Sequence, residues 1–169
     1  MKNAQYTSPV RENGFVEAGD YAAIGEGRSV ALIAPDGSID WWCAPNLDSA
    51  PLFDRLLDPD IGGFFQLEPD APYSVTRRYR DDSNVLETTF NTDSGKVLIT
   101  ESINSTLAGR LPWSELARRV EGREGEVKIK LSLRCGTRAE TCSPWLNETA
   151  HGNVYHIAEM MARLRTSED

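Results

Sequence analysis

The sequence has few cysteines, few basic residues and no long apolar run. Its three cysteines, Cys43, Cys135 and Cys142, are an odd number without metal-type spacing, so neither a disulfide framework nor a zinc site is expected. There are 18 basic against 26 acidic residues, and a net charge of -8 argues against nucleic acid or an anionic membrane as a partner. No stretch approaches the roughly 20 apolar residues of a membrane span. We therefore expect a cytoplasmic protein without a metal or another cofactor.

The chain is long enough to fold as one domain. A globule of 169 residues buries roughly 70% of its unfolded surface, so it needs no covalent or metal crosslink. Residues 1–17 are too polar for a secretory signal, and we expect them to form a flexible or surface-docked lead-in. Residues 18–169 are expected to form a single domain.

Most of the sequence alternates apolar and polar residues with a period of two, as half-buried strands do. Residues 30–34 and 39–43 flank Pro35-Asp36-Gly37-Ser38, which predicts a hairpin with a bulge, because Pro presets φ and Gly supplies a positive φ. Residues 51–57 are rich in Leu and precede Pro59, so this segment predicts at most one short helix.

Further strands are predicted along the rest of the chain. Alternation with β-branched or aromatic enrichment predicts them at 63–68, 73–80, 85–92 and 96–101. Residues 115–121 and 127–133 are interpreted as a strand pair joined by Gly-Arg-Glu-Gly, 135–152 as a polar loop, and 154–165 as two shorter strands. About eight to eleven short strands with frequent turns predict an all-β antiparallel β-sandwich.

The second strand of the hairpin carries adjacent tryptophans and runs into a polar loop. Trp41 and Trp42 precede Asn46, Asp48 and Ser49, and planar aromatic rings beside carboxylates and amides suit sugar rings. The alternative is that the tryptophans pack in the core, because their large apolar area dominates packing. All five are candidate sugar-contacting residues.

Strand alternation divides the two tryptophans. The phase set by Ile39 and Cys43 predicts that Trp41 lies in the core and that Trp42 points outward.

Several blocks of the sequence together resemble a known family. They are GEGRSVALIAPDGSIDWWCAPNLDSAPLFDRLLDPDIGGFFQLEP, RRYRDDSNVLETTF, SGKVLITESIN and LPWSELARRVEGREGEVKIKL, and they cover residues from about 18 to 134. In this order they resemble the N-terminal domain of bacterial glycoside hydrolase family 15, the glucoamylase and trehalase-like group. The resemblance implies a supersandwich-like β-sandwich that precedes an (α/α)6 catalytic barrel in a polypeptide several times longer.

The resemblance also implies which residues are absent. The general acid and base of the family are glutamates on the barrel, so no residue here inherits either role, and the chain is expected to be truncated before that domain. The resemblance implies that the loop after Trp42 faces the barrel and helps to wall the pocket for an α-glucoside. It therefore makes Trp41, Trp42, Asn46, Asp48 and Ser49 candidate substrate-side or domain-contacting residues. Asn46 stands where family members often carry Arg, and this difference removes a bidentate hydrogen-bonding group.

The sequence offers no convincing catalytic pair of its own. Glycoside hydrolysis needs two carboxyl groups flanking the scissile bond. Asp36, Asp40, Asp48 and Glu101 lie near aromatic residues, but each has an ordinary structural explanation, such as turn formation by Asp36. The isolated chain is therefore expected to be inactive.

Two other functions are open on the sequence. A stand-alone carbohydrate-binding module would use exposed aromatics such as Trp41, Trp113 and Trp145. An interaction domain would form a homodimer through the face that the barrel should cover.

Overall fold

A computed structural model describes residues 5–104, 114–137, 142–150 and 152–167. Its described part is all-β, with three antiparallel sheets, and the predicted sandwich is confirmed. A single turn of 3-10 helix lies at Ala18–Asp20. Among these residues, no helix has the length and apolar character needed to span a membrane.

The first sheet has five strands in the order β1-β7-β8-β9-β10. These are β1 (Gln5–Thr7), β7 (Ser74–Tyr79), β8 (Leu86–Thr92), β9 (Gly95–Asn104) and β10 (Glu115–Gly125). The strands predicted at 85–92 and 96–101 form the β8–β9 hairpin, in which Thr92 pairs with Gly95.

The second sheet has the order β11-β6-β4-β3-β2, and β5 also pairs with β4. Its strands are β2 (Ala22–Gly25), β3 (Val30–Ile33), β4 (Ser38–Cys43), β5 (Pro51–Phe53), β6 (Phe64–Pro69) and β11 (Ile129–Arg134). The segment 51–57, for which the sequence predicts at most one short helix, instead forms β5 and a turn.

The third sheet has three strands in the order β12-β13-β14. They are β12 (Trp145–Thr149), β13 (Gly152–Ile157) and β14 (Met160–Arg163). The two strands predicted over 154–165 are confirmed, whereas the polar loop predicted over 135–152 contains β12. All five residues of β12 are exposed, so the sequence carried no alternation between a buried and an exposed face there.

The predicted pairing of residues 115–121 with 127–133 is wrong. β10 pairs with β9 in the first sheet, and β11 pairs with β6 in the second. The chain crosses between the sheets after Gly125, whose φ is 60°. A positive φ at glycine turns the backbone away from its strand, so two alternating runs with a glycine-containing connection need not form a hairpin.

The core lies between the first two sheets. Ile33 and Ile39 from the second sheet and Val75, Phe90 and Ile99 from the first are fully buried in one cluster. One face of the third sheet joins this cluster through Ile157.

The β3–β4 hairpin forms as predicted and positions the candidate site. Gly37 has a φ of 74°, and a Cβ atom there would lie 2.2 Å from the carbonyl oxygen of Leu67. Only glycine fits, because the turn needs both the left-handed conformation and the close approach of β6.

Candidate functional site

A β-bulge in β4 sets the direction of the candidate side chains. In the register with β3, Leu32 pairs with Trp41 and Ile33 pairs with Ile39, so Asp40 is the extra residue. An extra residue reverses the alternation of all side chains that follow it.

The bulge reverses the predicted orientations of the two tryptophans. Trp42 is only 6% exposed, packs against Phe53 at a ring distance of 6.2 Å, and donates its indole N–H to Ser29 Oγ. Trp41 is half-buried. The prediction that Trp41 lies in the core and Trp42 points outward is therefore wrong, because it assumed unbroken alternation through Asp40.

Asp40 is completely buried and accepts hydrogen bonds on both carboxylate oxygens. Oδ2 accepts from Arg11 Nη2 at 2.8 Å and from Tyr21 Oη at 2.7 Å. Oδ1 accepts from Arg55 Nε at 2.9 Å and from Ser38 Oγ. Four donors occupy a carboxylate that has about four lone-pair sites.

Asp36 extends this arrangement into the hairpin turn. Its Oδ2 accepts from Arg11 Nε at 2.6 Å, and its Oδ1 accepts from the Ser38 backbone N–H at 3.2 Å. Two carboxylates and two guanidinium groups therefore balance their charges below the surface, which makes their burial tolerable. We call these residues the Asp40 cluster: Arg11, Tyr21, Asp36, Ser38, Asp40 and Arg55.

The pKa values in the Asp40 cluster follow from burial and pairing. Burial opposes the charge of Arg11, but the Asp36 and Asp40 carboxylates outweigh it and raise the pKa of Arg11. Burial and the neighbouring Asp40 carboxylate raise the pKa of Tyr21 above its usual value. Burial lowers the pKa of Arg55, although Asp40 opposes this effect.

The Asp40 cluster joins three segments that are distant in sequence. Arg11 comes from the N-terminal segment, Asp40 from β4, and Arg55 from the loop after β5. The Leu56 backbone N–H also donates to the Asp40 carbonyl at 3.1 Å, and the Arg55 guanidinium lies 3.9 Å from the centre of the Phe64 ring. A general acid or base must reach the substrate, and the enclosed Asp40 carboxylate cannot do so. We therefore infer that Asp40 stabilises the fold.

The loop between β4 and β5 is exposed and is held by its main chain. The Leu47 N–H donates to the Arg28 carbonyl at 2.7 Å. Asn46 and Ser49 are brought together: the Asn46 N–H donates to Ser49 Oγ at 3.2 Å, and the Ser49 N–H donates to the Asn46 carbonyl at 3.1 Å. The side chains of Asn46 and Asp48 are exposed, whereas Trp42 lies apart from them in the core.

Large apolar side chains are exposed in the two loops that flank β5. Leu47 in the first loop is 60% exposed, and in the second Leu57 is 64% and Ile61 is 38% exposed. We call five exposed residues of these two loops the β5 flank: Asn46, Leu47, Asp48, Leu57 and Ile61.

A second buried ion pair lies within the first sheet, where Arg118 of β10 pairs in register with Glu101 of β9. Arg118 Nη2 lies 2.6 Å from Glu101 Oε1, although the contact departs from ideal hydrogen-bond geometry. Arg118 also donates to the carbonyl oxygens of Phe65 and Gly37, at 2.9 Å and 2.6 Å. Burial raises the pKa of Glu101, although Arg118 opposes this effect. Glu101 is therefore enclosed, like Asp40.

The residues that pair with Asp40 were not predicted from the sequence. Arg11 and Tyr21 lie in or beside the polar N-terminal segment, and nothing in their spacing indicates a partner in β4. A carboxylate between Ile39 and Trp41 was the available signal, because a charge within an apolar strand needs buried partners.

The tryptophans proposed as a sugar-binding set do not share one environment. Trp41 is half-buried, Trp145 is 56% exposed on β12, and Trp113 lies outside the described residues.

Within the described ranges, no group of three or more His, Cys, Asp or Glu side chains is arranged to hold a metal ion. Cys43, Cys135 and Cys142 are all free thiols, and burial raises the pKa of Cys135 to about 11.

The chain is similar to one family model and to several curated proteins. Residues 17–135 match the model described as trehalase-like, N-terminal. A trehalase of Thermoplasma volcanium is 27% identical over 152 residues, which cover 88% of this chain and 24% of the relative. A trehalase of Thermoplasma acidophilum is 30% identical over 128 residues, which cover 73% of this chain and 22% of the relative.

A third trehalase gives a similar alignment. A trehalase of Mycobacterium tuberculosis is 34% identical over 117 residues, which cover 67% of this chain and 16% of the relative. The chain thus spans about a quarter or less of the length of these curated relatives. No solved structure gives a significant match.

Proposed function

The chain belongs to the trehalase-like N-terminal domain family, and from this membership we propose that it is the non-catalytic N-terminal domain of a family 15 α-glucoside hydrolase. The proposed polypeptide continues into an (α/α)6 catalytic domain, and the substrate is trehalose or a related α-glucoside. The length of the relatives supports this proposal, since each is about four or more times as long as the aligned part.

The observation that carries the non-catalytic assignment is that three of the four carboxylates considered as a catalytic pair are enclosed by their partners. Asp40 and Glu101 are fully buried and paired with guanidinium groups, and Asp36 is bonded to Arg11. General acid and base groups that flank a scissile bond cannot be enclosed in this way.

The second part of the proposal is that the β5 flank faces the catalytic domain. Leu47, Leu57 and Ile61 supply apolar area, which favours burial against another protein surface. Asn46 and Asp48 supply an amide and a carboxylate beside it, groups suited to sugar hydroxyls. In this role the Asp40 cluster holds the second loop through Arg55, so that the β5 flank keeps one shape.

Substitution of Leu47 by Asp tests this face in two contexts. In the polypeptide that includes the catalytic domain, Leu47→Asp lowers the melting temperature, whereas in the isolated chain it has little effect because the side chain is exposed. Val120→Asp is the matched control, since Val120 is an exposed apolar residue on β10 of the other sheet. Equal effects of Leu47→Asp in both contexts would contradict the interdomain contact.

Kinetics test the substrate-facing role separately. Asp48→Ala and Asn46→Ala in the longer polypeptide raise KM for trehalose if these side chains contact the bound sugar. A homodimer through the β5 flank is the competing arrangement. In that case sedimentation shows a dimer of the isolated chain that Leu47→Asp dissociates.

A further inference from the structure

The outward face of the third sheet carries an exposed aromatic side chain that stacks on a neighbouring ring. Trp145 on β12 pairs in register with His156 on β13, and their rings are stacked with centroids 3.8 Å apart and planes 2° from parallel. Trp145 is nevertheless 56% exposed. One face of the indole is therefore covered by the imidazole, and the other face is open.

The open face lies at the outer strand of the third sheet as the described residues form it. β12 is the outer strand of the order β12-β13-β14, and among the described residues no strand pairs with its other side. Main-chain N–H and C=O groups of an edge strand point outward and can bind a ligand. The open indole face of Trp145 and these backbone groups lie on the same side of β12.

Polar side chains share the outward face with Trp145. Asn147 lies two residues further along β12, on the same face, and is exposed. Arg163 on β14 aligns with it through Val154 of β13. A Cβ atom at Gly152 would lie 3.2 Å from Arg163 Nη2, so the glycine leaves space for the guanidinium above the β12–β13 hairpin.

We propose that this face, formed by Trp145, His156, Asn147 and Arg163, binds a glucose unit of an α-glucan. The pyranose C–H groups stack on the open indole face, while the amide, the guanidinium and the strand edge bind hydroxyl groups. His156 is a positioning residue, because its ring fixes the plane of the indole.

A single sugar ring fits this surface better than a protein does. The face offers one open aromatic ring with hydrogen-bonding groups beside it, and Met161, in register with His156, is the other large apolar side chain that it exposes. Specific protein interfaces need roughly 1,000 Å² or more with good complementarity. A tryptophan side chain has only two rotatable bonds, so it supplies a large contact area with a small loss of conformational entropy. The choice of a glucan rests on the proposed function, since the family acts on α-glucosides in that proposal.

Titration of the chain with maltoheptaose by calorimetry and by NMR tests the proposal. Binding is expected, with the largest shift changes at the Trp145 indole N–H and the Asn147 amide. Trp145→Ala weakens binding about tenfold or more, as loss of an aromatic stacking surface predicts. His156→Phe keeps a stacking ring and retains binding, whereas His156→Ala weakens it. Leu131→Ala, at an exposed apolar residue of β11, is the matched control and leaves binding unchanged.

Each other outcome contradicts the proposal. If the unaltered chain shows neither binding heat nor NMR chemical-shift changes with maltoheptaose, the site is excluded. This test does not depend on whether any variant folds. Equal loss in Trp145→Ala and Leu131→Ala would indicate nonspecific adsorption. If Trp145→Ala instead lowered the melting temperature of the longer polypeptide alone, the face would be a domain contact. Failure of maltoheptaose binding leaves the proposed function intact, because hydrolysis is assayed on the longer polypeptide.

Discussion

Asp40 and Arg55 lie 15 positions apart in the sequence, yet Arg55 Nε donates to Asp40 Oδ1 over 2.9 Å inside the protein. Arg11 approaches the same carboxylate from the N-terminal segment. The position of the loop after β5, which carries Arg55, therefore depends on the buried carboxylate of Asp40.

Removal of the Asp40 charge is expected to destabilise the fold strongly. Asp40→Asn leaves Arg11 and Arg55 without their shared counter-charge, and breaking a buried ion pair costs on the order of 3 kcal/mol or more. The matched control is Asp48→Asn, the same change at an exposed carboxylate, which should alter stability by less than about 0.5 kcal/mol. Urea denaturation of both variants measures the difference. Equal free energies of unfolding would contradict the structural role of Asp40.

The bulge makes a specific prediction about the two tryptophans. Trp42→Ala should lower the free energy of unfolding by about 3–5 kcal/mol, because a large core side chain leaves a cavity. Trp41→Ala should cost less, since that side chain is only half-buried. Unbroken alternation through β4 would give the opposite order in thermal or urea denaturation.

The Glu101–Arg118 pair should show strong coupling in a double-mutant cycle. Glu101→Leu and Arg118→Met each leave an uncompensated buried charge, and each should cost about 3–5 kcal/mol. The double variant should cost clearly less than the sum of the two, because no buried charge remains. Arg119→Met on the same strand is the control, since its side chain is 75% exposed. Additive losses would show that the two charges do not interact.

Tyr21 predicts a loss of stability at high pH. Burial and the Asp40 carboxylate raise its pKa in the folded state, so the folded protein keeps a proton that the unfolded chain releases near pH 10. Its contribution to stability is fully present below about pH 10 and falls as pH rises above that value. Tyr21→Phe should therefore be less stable at pH 8 and should show a shallower fall above pH 10.

Ser38→Ala is the control for the effect of Tyr21. It removes another hydrogen bond to Asp40 without removing a titrating phenol, so it should lower stability but keep the alkaline slope of the unaltered chain. Parallel profiles for Tyr21→Phe and the unaltered chain between pH 9 and 12 would contradict the assignment.

Local patterns predicted the strands well where the chain alternates and where turn residues are unambiguous. Pro35-Asp36-Gly37 gave the β3–β4 hairpin, because its turn chemistry is contained within a few residues. The sheet assignment of β10 and β11 was not predictable in this way, since a crossover and a hairpin share the same local pattern. β12 was missed because its residues are all exposed.

The candidate site was predicted only in part. Asn46 and Ser49 were identified and do lie together, but the orientations of Trp41 and Trp42 were reversed by one extra residue. Arg11 and Tyr21 reach Asp40 through long-range contacts, which no local pattern contains. The resemblance of the sequence blocks identified the family correctly, because it used their order along the whole domain.

Trehalose hydrolysis by the isolated chain tests the central claim most directly. Purified residues 1–169 should release no glucose from trehalose or maltooligosaccharides, while the polypeptide that continues into the catalytic domain should hydrolyse an α-glucoside. Measurable turnover by the isolated chain, abolished by Asp40→Asn or Asp48→Asn in a variant that remains folded, would contradict the account.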